Sequence, residues 1–123
     1  MTRARVAFGK SGEDLACLEL ERRGYAIVAR RLRTRRGEVD IIARDGRTLV
    51  FVEVKARDGR AFGDGGEAVT ALKRRRIVSL ATEYVVRHGL EASPCRFDVV
   101  AVRLDNERPV IEVYQNAFDA TGQ

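Results

Sequence analysis

Residues 37–55 constrain this chain more than any other stretch. Gly37-Glu38-Val39-Asp40-Ile41-Ile42-Ala43 and Leu49-Val50-Phe51-Val52-Glu53-Val54-Lys55 are both rich in β-branched residues. Between them, Arg44-Asp45-Gly46-Arg47-Thr48 holds an Asp-Gly pair, a strong short-range signal for a tight hairpin. Each strand carries acids where a buried strand ordinarily has none. Strand side chains alternate between faces, so Glu38, Asp40 and Ile42 share one face, as do Phe51, Glu53 and Lys55. With the hairpin paired as its turn suggests, Asp40, Glu53 and Lys55 converge. Two carboxylates and an amine on a mostly apolar sheet are costly to bury unless paired or bound to metal.

The chemistry that suits this set is metal-assisted phosphodiester hydrolysis. Carboxylate oxygens are the ligands that Mg²⁺ or Mn²⁺ prefers. Such an ion polarises a phosphate and lowers the pKa of a bound water. A neighbouring lysine orients that water or steadies the charge that builds on phosphorus. The spacing of Asp, twelve residues, then Glu-x-Lys resembles the catalytic core of the PD-(D/E)XK nucleases, the restriction-endonuclease-like superfamily. Val39 stands where a proline commonly precedes the aspartate. The spacing alone is a weak pattern. Its weight comes from both halves lying on strands joined by a tight turn.

A chain of 123 residues, 45% of them apolar, suits one domain with one core. No run approaches the roughly 18 apolar residues of a membrane span. The first residues lack the apolar segment of a secretory signal. Cys17 and Cys95 lie far apart with no CxxC spacing, so they read as reduced thiols of a cytoplasmic protein. The net charge of +5 favours a polyanionic partner, although a merely solvated surface gives the same balance. Of the 23 basic residues only Lys10, Lys55 and Lys73 are lysine. In a chain that uses arginine by default, a lysine marks a place for a compact, titratable point charge.

In chain order, Ser11 is the expected N-cap of a first helix that ends at Gly24. Glu13 falls on the apolar stripe with Ala16, Cys17 and Leu20. It is either a first-turn acid favoured by the helix dipole or a third carboxylate reaching toward the metal. Residues 25–32 read as a strand. Arg30, Arg31, Arg33, Arg35 and Arg36 then put five arginines into seven residues, a phosphate-backbone patch or an ordinary charged turn. Residues 59–66 hold four glycines, which implies a loop that covers a bound strand or merely links. A second helix, ending near His88, carries Lys73 within its apolar stripe. That lysine either snorkels or points toward a phosphate. His88 complements the dipole at the helix end and has no catalytic part. Residues 96–104 and 110–114 complete the strands, with Asp98 either paired with a basic core residue or touching the site. Residues 1–8 and 116–123 are expected to be loose ends.

Together these stretches resemble the YraN-like family of bacterial proteins. The resemblance rests on Gly9-Lys10-Ser11-Gly12-Glu13-Asp14-Leu15-Ala16, on both halves of the hairpin with Ala56 and Arg57, on Val69 with Lys73, and on Arg96-Phe97-Asp98-Val99-Val100. It implies a single α/β, restriction-endonuclease-like domain near archaeal Holliday-junction resolvases. That fold has a central mixed sheet of about five strands flanked by helices, in the order αβββαββ. It also implies that Glu13, Asp40, Glu53 and Lys55 take the nuclease positions, with Asp40, Glu53 and Glu13 toward Mg²⁺ or Mn²⁺. Lys73, Arg57, Arg31, Arg33, Arg35 and Arg36 are the expected phosphate contacts. DNA is favoured over RNA by the resemblance only. A small nuclease that must act on both strands is a candidate homodimer, though no motif specifies one. The rival functions are a non-catalytic nucleic-acid-binding module and an adaptor for an acidic protein partner.

Overall fold

The computed structural model describes residues 2–58, 69–105 and 108–123, with side chains over 12–57, 69–103 and 108–123. A first helix, α1 (Thr2–Arg22), leads into β1 (Ala26–Thr34), β2 (Gly37–Asp45) and β3 (Thr48–Asp58). Helix α2 (Ala71–Arg87) follows, then β4 (Cys95–Asp105) and β5 (Arg108–Phe118). The strands form one sheet in the order β1-β2-β3-β4-β5, antiparallel except for the parallel β3–β4 pair. This mixed sheet flanked by helices is the αβββαββ architecture expected of the restriction-endonuclease-like fold.

Local chemistry explains the element ends. Gly24 (φ 96°) stops α1 in the left-handed region, with Tyr25 N donating to Leu20 O and Gly24 N to Glu21 O. That is the paired bond pattern of a glycine-terminated helix. Thr70 caps α2 by accepting from Lys73 N at 3.1 Å. The β2–β3 hairpin closes through Gly46 and Arg47, with Asp45 opposite Thr48. Only Gly46 has positive φ, so glycine takes the first central position of the turn and Asp45 remains in the strand.

Each face of the sheet has its own core. Phe51, Leu49, Ile42, Phe97 and Val99 pack with Ile77, Leu80 and Ala81 of α2. Ile41, Ala43, Val50, Val52 and Val100 pack with Ala16, Cys17 and Leu20 of α1. The alternating strands thus divide their apolar residues between two helices. Burying each large side chain contributes roughly 1.5–3 kcal/mol.

Three expectations need correction. Ser11 does not cap α1, because the helix begins at Thr2 and runs through it; no proline interrupts residues 2–10. Glu13 is therefore not in a first turn. The C-terminal tail, expected to fray, continues as β5 to the buried Phe118, whose ring stacks on Phe97 at 5.1 Å. Gly122 O then accepts from Arg74 Nε at 2.9 Å. The glycine-rich stretch at 59–66 lies outside the described residues.

Candidate active site

The site lies where β2 and β3 part. Their ladder ends at Ile41 opposite Val52. One step of alternation is also lost in β2. Val39 and Ile42 belong to the α2-side core, while Ile41 and Ala43 belong to the α1 side. The neighbouring strand breaks at the same level, since Ala29 and Leu32 both face α2 with Arg31 between them at φ 54°. Arg31 and Asp40 fall between the ladder pairs Arg30–Ile41 and Leu32–Val39. Irregularities of this kind re-aim side chains and end pairing. Here the irregularity frees Asp40 to turn toward β3, where its Oδ2 accepts from Val54 N at 2.7 Å.

Glu53 stands beside Asp40 and is almost wholly buried, at 2% exposure. Burial, then the hydrogen bond and charge of Asp40, push its carboxyl pKa up to about 8, against a smaller pull downward from Lys73. Its Oε2 is buried and has a cationic partner. The Lys73 ammonium, from the first turn of α2, forms an ion pair with that oxygen. Burial works to lower the Lys73 pKa, but Glu53, with Asp40 and Glu38 behind it, leaves it raised. Lys55 lies two residues beyond Glu53 in a strand whose alternation is unbroken from Leu49 to Val54, so it shares the Glu53 face. It is half-buried and makes no ion pair among the described residues.

Glu13 is held differently. Arg30 Nε donates to its Oε1 at 2.9 Å and Arg31 Nε to its Oε2 at 3.0 Å, and Glu13 is 8% exposed. Among the described residues no three His, Cys, Asp or Glu side chains stand close enough to hold one ion. Asp40 and Glu53 are thus a pair, and Glu13 is clamped by two arginines. Neither the dipole reading nor the third-carboxylate reading anticipated that clamp. The usable signal was Glu13 on an apolar stripe, which requires a cationic partner.

The other sequence candidates are spread around this pair. Arg33 pairs with Glu38 at 3.0 Å, and Arg36 with Glu83 at 2.9 Å and Ser79 Oγ at 3.1 Å. Arg35 is exposed in the β1–β2 turn, and Arg57 is half-buried on β3. Exposed ion pairs of this sort are weak enough to exchange onto a phosphate. A cleft of about 460 Å³ opens beside the start of α2, lined by Arg33, Glu38, Thr70, Leu72, Lys73 and Arg76 among others. Sequence reasoning missed Arg76 and the Lys73–Glu53 pair. Asp98 serves the opposite face with Val100 and Val102. It accepts from Tyr25 OH at 2.9 Å, Arg96 Nε at 2.9 Å and Asn116 N at 2.9 Å.

A pair of carboxylates at the end of a broken ladder, with one buried oxygen held by the Lys73 ammonium, is a donor set that Mg²⁺ or Mn²⁺ fits. The profile of the uncharacterised protein family UPF0102 matches residues 12–102, which include all these acids and both lysines. A UPF0102 protein of Symbiobacterium thermophilum is 52% identical over 91% of this chain and 96% of its own length. A second, from Anaeromyxobacter dehalogenans, is 47% identical over 97% and 89%. A third, from Syntrophotalea carbinolica, is 43% identical over 99% of each chain. This chain belongs to the UPF0102 family. Among the described residues, no helix is long and apolar enough to cross a membrane.

Proposed function

We propose that this chain is a metal-dependent endonuclease that hydrolyses phosphodiester bonds of DNA, with branched or structured DNA as its substrate class. The observation that carries the reading is the Asp40–Glu53 pair: a carboxylate only 2% exposed beside a second one, with the Lys73 ammonium on its Oε2 and Lys55 following on the same strand face.

In this reading Asp40 and Glu53 hold Mg²⁺ or Mn²⁺, which supplies Lewis acidity and a bound water of lowered pKa. Asp40 is fixed for that task by Val54 N, and Glu53 by its place in the central strand. Lys55 orients the attacking water or stabilises the charge on the phosphate oxygens. Water oxygen bonds to phosphorus and gives up a proton to solvent, the P–O bond to the leaving nucleotide breaks, and the leaving oxygen takes a proton from a solvent water. Lys73, Arg57, Arg31, Arg33, Arg35 and Arg36 hold the backbone phosphates. Arg30 and Arg31, at 38% and 60% side-chain exposure, can exchange onto a phosphate, which frees Glu13 to assist directly or through water.

The test is cleavage of linear, single-stranded, flap and four-way-junction DNA with Mg²⁺ or Mn²⁺, by wild type, Asp40→Asn and Lys55→Met. Metal-dependent cutting lost in both variants supports the reading, and the preferred DNA names the substrate. Salt-sensitive DNA binding without cutting by the wild type overturns the enzyme and leaves a binding module. Absence of both points to a protein partner.

A further inference from the structure

Asp40 and Glu53 together carry negative charge that a divalent cation would neutralise. Lys73 is the group that offsets this charge, through its ion pair with Glu53 Oε2. The same lysine lines the cleft at the start of α2 with Arg33 and Arg76. Its side chain is 39% exposed and that of Glu53 is 2% exposed. The ammonium therefore reaches inward from the cleft, while the carboxylate cannot reach out. A lysine is a point charge on a flexible four-carbon stem, so its head can move between the two places with the backbone fixed. A divalent ion and an ammonium cannot both sit on Oε2, because like charges a few ångströms apart in a partly buried site repel strongly.

We propose that Lys73 is the resident counter-ion of the Asp40–Glu53 pair. It moves into the cleft when a divalent cation loads, and there completes a phosphate-binding subsite with Arg33 and Arg76. Arg76 has no ion pair among the described residues and Arg33 only an exposed one with Glu38, so both cations are available to an incoming phosphate. The subsite is then complete only in the metal-loaded protein. By linkage, a phosphate that engages Lys73 favours metal loading to the same degree. This inference rests on the metal-holding reading of Asp40 and Glu53.

Trace acetylation with acetic anhydride, read by mass spectrometry, tests it on the intact chain with an added lysine-containing peptide as reference. Lys73 is expected to react slowly in EDTA and roughly five-fold or more faster with saturating Mn²⁺. The reference peptide stays constant, and Asp40→Asn shows no Mn²⁺ effect. In a second arm, a short DNA duplex is bound in EDTA and in Ca²⁺ over a salt series. Wild type and Lys73→Met are expected to show equal slopes in EDTA. In Ca²⁺ the wild-type slope is steeper by about 0.9, the signature of one added phosphate contact. Unchanged Lys73 reactivity, with calorimetry showing Mn²⁺ bound by wild type and not by Asp40→Asn, overturns the role of Lys73 and leaves the metal site standing. An equal Lys73→Met deficit in EDTA and Ca²⁺ also overturns it. A wild-type chain that binds no Mn²⁺ overturns both the inference and the site.

Discussion

The backbone N–H of Val54 donates to Asp40 Oδ2 at 2.7 Å, across the point where the β2–β3 ladder has stopped. A side-chain oxygen thus stands in for the missing backbone acceptor. Asparagine can keep this bond and alanine cannot. Asp40→Asn is expected to be more stable than Asp40→Ala by about 1 kcal/mol. Urea denaturation at one pH measures the difference, and equal midpoints would show that the bond contributes nothing.

Glu53 links the site to stability. Its carboxyl pKa is raised from 4.5 to about 8, first by burial and then by Asp40. The folded state therefore holds a proton that the unfolded state releases, and stability falls as pH rises between these two values. A glutamine at this position carries no charge at any pH. The stability of wild type relative to Glu53→Gln is expected to decline by at most a few kcal/mol from about pH 4.5 to 8, then level off. Thermal melts of both proteins without metal across that range measure it; a flat difference would sink the prediction.

α1 is docked by a close approach between backbones. A Cβ built on Gly12 would stand 2.7 Å from Ala56 Cβ on β3, immediately after Lys55. Gly12→Ala is expected to destabilise the fold by about 1–3 kcal/mol, and Ala56→Gly to recover most of that loss. A double-mutant cycle in urea decides it, since purely additive effects would mean that the two residues do not touch.

Asp98 is fully buried and receives Tyr25 OH, Arg96 and Asn116 N, while Gln115 Nε2 donates to the Tyr25 hydroxyl at 2.8 Å. Its role is to tie β4, β5 and the end of α1 together. Asp98→Ala removes the acceptor of the Tyr25 hydroxyl and the Asn116 N–H, while Arg96 keeps Asp45 at 3.0 Å, and is expected to cost about 2–3 kcal/mol. Because Asp98 faces away from Glu53, Mn²⁺ affinity of whatever remains folded should match wild type. A selective loss of metal binding with stability intact would contradict this assignment.

The Asp45-Gly46 signal located the hairpin, but the turn closes on Gly46 and Arg47, and it is this register, Asp45 opposite Thr48, that brings Asp40 level with Glu53. The order of elements was legible from the glycine at 24 and the alternation of the strands. Other features depend on how elements lie over one another. Lys73 reaches Glu53 only because α2 crosses the β2–β3 end of the sheet. The arginines reach Glu13 only because β1 breaks at Arg31, whose positive φ nothing in its residue type announces. The β5 extension to Phe118 was hidden for a similar reason. What fixes that tail is Phe97, a residue distant in sequence.

The most direct measurement is diffraction from crystals of this chain soaked in Mn²⁺, recorded to show manganese anomalous scattering. The account predicts one peak within about 2.1 Å of a carboxylate oxygen from each of Asp40 and Glu53, absent in Asp40→Asn. A peak elsewhere, or none with Asp40 and Glu53 unchanged, would contradict it.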